Sequence, residues 1–463
     1  MFRPQHWILV LVLVAGLSSP AAADPLTDLA RAYVAGRTSG VTPAAATALP
    51  SYARQTGLAC SACHYQFLAL TPFGRQFKLN GYVMTTRPLI HEGDSANGGK
   101  LDLSPTSLLS AMLTAGVTHL NEPLPDTQND AVAMPQELGL FLAGQVSSKV
   151  GLFSQITYAG ADGSIGLDNV DVRYANHTNG GMPIVYGVTL NNNPTVQDLW
   201  NTTPAWGYPF ISSDAAPGAA AAPVIDGAFS QNSLGLGAYT MVNELLYAEV
   251  SVYRSAIQGQ AAPDAASGAI SGVAPYWRLA LQKDFGEKYL MLGTFGMYAS
   301  VYPDVLSGPT NAYTDIGVDA QFETPLGKGN LVARGSYIHE AQTLDAYVES
   351  GDATTASNNL STFKLNATYY PSQKIGLTAG YFSTTGSTDP ALYPADPVEG
   401  SANGSPKTDG FIGEFDYNPW ENTRLGLQYT GYGNFNGGST NYDGSGRDAS
   451  GNDTLFLFVW LAF

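Results

Sequence analysis

The larger, C-terminal part of the sequence, residues 105–463, consists of short segments that alternate apolar and polar residues and occur in pairs. Tight turns such as Ser147-Ser148-Lys149 join the two members of a pair, and longer polar stretches separate successive pairs. A period of two residues predicts β-strands with one apolar face. Sixteen strands are predicted, near residues 107–119, 137–146, 150–159, 169–175, 184–190, 234–241, 245–254, 276–283, 289–301, 314–322, 330–338, 361–369, 375–383, 410–417, 423–432 and 454–463.

The composition indicates that these strands face lipid. Charged residues make up 13% of the chain, against about 25% in ordinary globular domains. No stretch is apolar enough for a membrane-spanning helix, and no repeat of about 40 residues favours a propeller. Because backbone groups in lipid must be paired internally, such strands survive only in a closed barrel. We therefore predict an all-β fold, a 16-stranded antiparallel transmembrane β-barrel over residues 105–463.

The arrangement of turns and loops predicts where this barrel lies. Bacterial outer-membrane barrels have even strand numbers, short periplasmic turns and long extracellular loops. Residues 1–23 are predicted to be a secretory signal, with Arg3 before an apolar run and Ala21-Ala22-Ala23 at the cleavage site. We expect an outer-membrane protein with both termini periplasmic and the long loops extracellular. The net charge of −17 argues against nucleic acid as a partner.

Residues 24–104 are predicted to form a tether followed by a short helical segment around Cys60-Ser61-Ala62-Cys63-His64. This motif is typical of the attachment site of a c-type haem. The thiols of Cys60 and Cys63 add to the two vinyl groups, and His64 binds the iron. A disulfide or a redox dithiol is the alternative, but export and the adjacent histidine favour one covalent haem c. No catalytic residue is predicted beyond the haem.

A helix is predicted after the motif, because Thr71 can cap it, Pro72 suits its first turn and Asn80-Gly81 can end it. Its phenylalanines are four residues apart and could lie on the porphyrin, while its basic residues could meet the propionates. The alternative is a solvated helix whose phenylalanines pack elsewhere. The residues concerned are Phe73, Phe77, Arg75 and Lys78.

The second axial ligand of the iron stays open at this stage. Met84 ranks first because the chain can fold back over the ring after the helix, and Met112 follows. His91 and His119 come next; Met112 and His119 share the first predicted strand but lie on opposite faces. About 40 residues are too few for a core of their own. We therefore expect the haem segment to plug the barrel lumen and to borrow packing from it.

Several motifs around the haem site resemble the fused monohaem cytochrome–porins of the outer membrane, which include iron-oxidising cytochromes. The resemblance rests on Ala53-Arg54-Gln55-Thr56-Gly57, on CSACH, on the segments 70–75 and 77–82, and on the loop 191–198 with Trp200 and Trp206. It implies a cytochrome fused to a barrel and Fe(II) oxidase activity. Electrons would pass from extracellular Fe(II) through the haem to a periplasmic cytochrome or copper protein. A solute-transporting porin with a haem-bearing plug, and electron export to an extracellular acceptor, remain the alternatives.

Overall fold

The computed structural model of the chain describes residues 49–463 except 85–88, 93–100, 126, 162, 179, 257–267 and 304–305. The predicted signal peptide and most of the predicted tether therefore lie outside the described residues. No helix among the described residues is long and apolar enough to cross a membrane.

Sixteen antiparallel strands close into a barrel, as the alternating pattern predicts. The sheet contains seventeen strands, of which the two-residue strand β10 (Ala269–Ile270) only extends the edge of one neighbour. The barrel strands are β3 (Leu109–Leu120), β4 (Ala131–Ser147), β5 (Val150–Ala159), β6 (Ile165–His177), β7 (Ile184–Asn191), β8 (Ser233–Val242), β9 (Leu246–Ser255), β11 (Ala274–Phe285), β12 (Lys288–Tyr302), β13 (Asn311–Leu326), β14 (Gly329–Leu344), β15 (Ser357–Ser372), β16 (Ile375–Gly386), β17 (Thr408–Tyr417), β18 (Thr423–Asn434) and β19 (Thr454–Ala462). Closure comes from the pairing of β19 with β3 and of β9 with β11.

The two faces of the barrel wall differ as a lipid-facing barrel requires. On β19, Leu455 and Leu457 are exposed, whereas Phe456 and Phe458 point inward and are almost completely buried. Leucine and valine side chains are exposed in the same way on the other strands, while inward positions carry many buried polar groups. Soluble proteins rarely expose apolar surface on this scale, and a bilayer would cover it.

Smaller elements complete the described part of the chain. Two short strands, β1 (Ile90–Glu92) and β2 (Leu101–Leu103), pair only with each other. Helices α1 (Pro50–Thr56), α2 (Cys60–Cys63) and α3 (Pro72–Leu79) precede the barrel, and α4 (Asp345–Ser350) follows β14. The strands of the barrel wall run beyond several predicted bounds, as at the start of β4, because pairing with the neighbouring strand continues past the apolar pattern.

Two segments fill the lumen. The first is the haem segment, residues 49–84, which contains α1 to α3. The second is the loop 192–232 between β7 and β8, which we call the lumenal loop. The sequence analysis counted this loop among the long loops expected to be extracellular and did not predict that it folds into the lumen. Its polar groups bond to inward-facing side chains around the barrel, including Glu249, Arg278 and Glu340.

Candidate functional site

The CSACH motif folds into one helical turn that a second helix holds in place. The His64 N–H donates to the carbonyl oxygen of Cys60 at 2.8 Å, which ends α2. The N–H of Thr71 donates to the Cys63 carbonyl oxygen at 2.9 Å, and its hydroxyl caps α3 by accepting from Gly74. A Cβ at Gly74 would lie 2.2 Å from the Cys63 carbonyl oxygen. Only glycine therefore allows α3 to lie so close to the motif. The predicted helix and its Thr71 cap are confirmed.

A cavity of about 400 Å³ lies beside the motif and is bordered by Cys63 and His64. Its size falls within the range of pockets that hold small molecules and cofactors. The walls come from the haem segment, the lumenal loop and the barrel strands together, so no single part of the chain encloses the cavity. Aromatic side chains form a substantial part of the lining, together with polar groups such as Glu137 and Asp214; the aromatic residues include Phe67, Phe77, Phe141, Phe153, Trp206, Phe210 and Trp460.

Burial sets the protonation states of the two motif residues that border the cavity. Burial lowers the pKa of His64 to about 4, so the imidazole is neutral and can bind a metal. Burial also raises the pKa of the Cys63 thiol to about 12, so this thiol keeps its proton at neutral pH. The Nδ1 atom of His64 is buried and has no hydrogen-bond partner among the described residues. An unsatisfied buried nitrogen is costly, and a group bound in the cavity would give the imidazole a partner.

The helical residues predicted to contact the haem separate into two sets. Phe77 and Lys78 line the cavity. Burial, reinforced by the nearby Arg173 charge, lowers the pKa of Lys78 to about 7. Phe73 is buried and does not line the cavity, and Arg75 forms an ion pair with Glu323 of β13 instead. The geometry therefore does not support the predicted propionate contact of Arg75. It is compatible with the one predicted for Lys78, because Lys78 lines the cavity.

The candidates for the second axial ligand also separate. Met112 lines the cavity that His64 borders, whereas Met84 is buried but does not line it. His119 is exposed and its Nδ1 lies 2.7 Å from the Asp130 carboxylate. The predicted opposite orientations of Met112 and His119 are confirmed. His91 belongs to β1, and its side chain lies outside the described residues.

Sequence reasoning missed how firmly the lumenal loop is held. The Arg278 guanidinium contacts Asp198 of the loop at 3.1 Å and Asp319 of the wall at 2.7 Å, and all three side chains are buried. The indole N–H of Trp200 donates to the Tyr289 hydroxyl at 2.6 Å. Each contact joins residues far apart in the sequence, so the partners could not be identified from the sequence. The only hint that the loop is anchored was that Asp198 and Trp200 lie close together in it.

The haem segment is held to the wall on several sides. Tyr65 donates to Glu323 at 2.8 Å, and Tyr82 donates to Asp171 at 2.7 Å. The Tyr239 hydroxyl donates to the carbonyl oxygen of Leu79 at 2.9 Å. These partners come from β13, β6 and β8, so the segment spans the lumen as the predicted plug does. Within the described residues, no cluster of three or more His, Cys, Asp or Glu side chains could hold a metal ion.

The residues around the cavity fit a haem c. The aromatic wall suits a porphyrin, the neutral imidazole suits iron, and Lys78 could face a propionate. Cys63 borders the cavity and Cys60 lies one helical turn away in α2. The cavity thus offers a haem the imidazole, one of the two thiols and aromatic side chains, while Cys60 does not line it.

Comparison with known proteins gives similarity to barrels alone. No protein-family model and no curated protein matches the chain. Among solved structures, the chain is similar to OmpF of Salmonella typhi in complex with daunomycin, with 14% identity over 81% of this chain and 100% of that chain and a TM-score of 0.45. It is similar to OmpT of Vibrio cholerae, with 12% identity, 77% and 97% coverage and a TM-score of 0.42. It is also similar to the anion-selective porin of Comamonas acidovorans, with 14% identity over 77% of this chain and 98% of that chain and a TM-score of 0.43. Similarity at this level concerns the barrel architecture, and nothing about a ligand or substrate of this chain follows from it.

Proposed function

We propose that this chain is an outer-membrane electron-transfer protein that carries one haem c in its lumen. In this proposal, electrons from extracellular Fe(II) reach the haem and leave to a periplasmic cytochrome or copper protein. The observation that carries the proposal is the position of Cys63 and His64 on an aromatic cavity inside a barrel whose outer face is apolar. The proposal also follows the resemblance of the haem segment to the cytochrome–porins.

Each residue of the site has a defined task in this proposal. Cys60 and Cys63 hold the cofactor by thioether bonds, and His64 binds the iron. The bound haem supplies reversible one-electron chemistry. The aromatic side chains of the lining would pack against the porphyrin, and the haem segment would place the site inside an otherwise insulating membrane. Iron then stays outside the cell, and only electrons cross.

The filling of the lumen favours an electron conduit over an open pore. The haem segment and the lumenal loop both lie across the barrel, and Lys78 of one donates to the Val196 carbonyl oxygen of the other at 2.8 Å. A transport porin with a haem-bearing plug is the second candidate. The observation that favours it is a second cavity of about 380 Å³, which shares Pro209 and Ser212 with the first and lies between the lumenal loop and strands β15 to β19.

Stopped-flow mixing of the oxidised, purified protein with Fe(II) tests the direction of the reaction. We expect the haem to be reduced at a rate that rises with Fe(II) concentration. If the haem stays oxidised across the pH range in which the protein is folded, Fe(II) is not the donor. Electron export would instead appear as oxidation of the reduced haem by an external ferric chelate.

Solute uptake tests the second candidate. Liposomes that contain the protein should swell slowly in small sugars, because the lumen is filled. Fast swelling with intact haem would favour a porin. Liposomes of the same lipid without protein serve as the control for leakage.

A further inference from the structure

We propose that Met112, a residue of the barrel wall, binds the haem iron on the side opposite His64. This inference rests on the proposed function, because it requires the haem. It makes the iron a bridge between two separate parts of the chain: the N-terminal haem segment supplies one axial ligand, and strand β3 supplies the other.

The cavity lining carries the first step. Met112 and His64 border the same cavity, although they are 48 positions apart in the sequence. The thioether sulfur is a known axial ligand of c-type haems and raises their reduction potential. Met112 is 5% exposed, so bulk water does not compete at its sulfur.

Other iron-binding groups of the lining are already engaged. The Lys78 ammonium donates to Val196 and lies 4.7 Å from the centre of the Trp206 ring. The hydroxyl groups of Tyr52 and Tyr82 donate to the Leu152 carbonyl oxygen at 3.0 Å and to Asp171 at 2.7 Å. Glu137 and Asp214 also line the cavity, but carboxylates do not give the low-spin haem of electron-transfer cytochromes. Among the described lining residues, the Met112 sulfur is the remaining soft donor.

Small residues flank Met112 in the barrel wall. Its partners in the two neighbouring strands are Gly139 of β4 and Ala462 of β19, both of which are small. A Cβ at Gly139 would lie 3.3 Å from the Met112 methyl carbon. A larger residue there would press on the thioether. Because methionine is flexible, the space left by Gly139 lets the Met112 sulfur turn towards the cavity.

The rival ligands lie in less suitable places. Met84 is 1% exposed and does not line the cavity. His119 lies on the outer face of β3 beside Asp130. The order of preference based on nearness in sequence, with Met84 first, is therefore reversed by the closed barrel.

Spectroscopy of the full-length protein in detergent tests the assignment. The probe is the far-red charge-transfer band of ferric haem with methionine ligation, together with the upfield-shifted methyl resonance of an iron-bound methionine in the ferrous state. We expect both signals in the wild type and in the M84L variant. M112L keeps the side-chain volume but removes the sulfur, so both signals should disappear while the covalent haem remains.

A second variant keeps the test valid if M112L folds poorly. M112H should give a bis-histidine spectrum and a lower midpoint potential, because imidazole replaces the thioether. Folding of each variant is checked by the heat-dependent migration of the barrel on a gel.

The outcomes separate this inference from the proposed function. Methionine signals that survive in M112L and vanish in M84L would overturn the inference and leave the haem proposal intact. If the wild-type haem shows no methionine signal, the inference is also overturned and the haem proposal stays intact. Wild-type protein that lacks covalent haem would overturn the proposed function and the inference together.

Discussion

The ion pair between Arg75 and Glu323 gives the sharpest test of how the haem segment is held in the lumen. Both side chains are less than a tenth exposed, and the Arg75 guanidinium also lies 4.3 Å from the centre of the Tyr289 ring. The R75M variant would leave the Glu323 carboxylate buried without its cation. Breaking one partner of a buried ion pair costs about 3–5 kcal/mol. At about 1.4 kcal/mol per factor of ten, the undocked population should rise roughly 100- to 4,000-fold.

Limited proteolysis of the folded barrel measures this population, because cleavage follows the open fraction when opening is fast. The cleavage rate within the haem segment should rise in R75M, while the barrel stays protected. K149M removes an exposed charge at a turn and serves as the matched control. In the double variant R75M/E323Q most of the docked population should be restored, because no unpaired charge remains buried. A change of less than threefold in R75M, or strictly additive effects in the double variant, would refute the reasoning.

Four further predictions follow from single side chains. In G74A the added Cβ would lie 2.2 Å from the carbonyl oxygen of the second motif cysteine, so covalent haem content should fall at least about tenfold, whereas G180A, with open space around it, should keep its haem. L427K places a charge on the outer face of β18 and should lower the free energy of unfolding in lipid vesicles by about 2–4 kcal/mol; an unchanged urea midpoint would contradict a lipid-facing wall. R278M leaves two buried aspartates without their cation and should loosen the lumenal loop, so single-channel conductance should increase. The pKa of Lys78 is lowered to about 7 in the folded chain and is about 10.4 when unfolded, so the unfolded state binds more protons between these values and stability should rise with pH there; urea titrations of haem-free protein should lose this rise in K78M.

The barrel was predictable because its signals are local. Alternation along each strand follows from the pleat, and the turns between paired strands are short. The same holds for α3, since Thr71 and Pro72 are adjacent in the sequence and act as cap and first turn. Backbone pairing in lipid then forces the predicted strands to close. No partner from elsewhere in the chain has to be known for any of these steps.

The details of the candidate site were not predictable in the same way, because they depend on contacts between distant parts of the chain. Arg75 meets Glu323 across 248 positions, and nothing near Arg75 in sequence identifies that partner. The composition of the lumenal loop does not distinguish it from an external loop, and the residues that anchor it, Arg278 and Asp319, lie on strands far along the chain. Met112 of β3 lies at the cavity beside the haem motif, and its position depends on how the haem segment docks against the barrel wall.

The visible spectrum of the purified protein after denaturation in detergent tests the central claim most directly. The account predicts one haem per chain that stays attached through boiling and shows the reduced bands of a c-type cytochrome. Replacement of both motif cysteines, C60A/C63A, should remove this haem while the barrel still folds. A folded wild-type barrel, expressed with a working haem-attachment system and without covalent haem, would contradict the account.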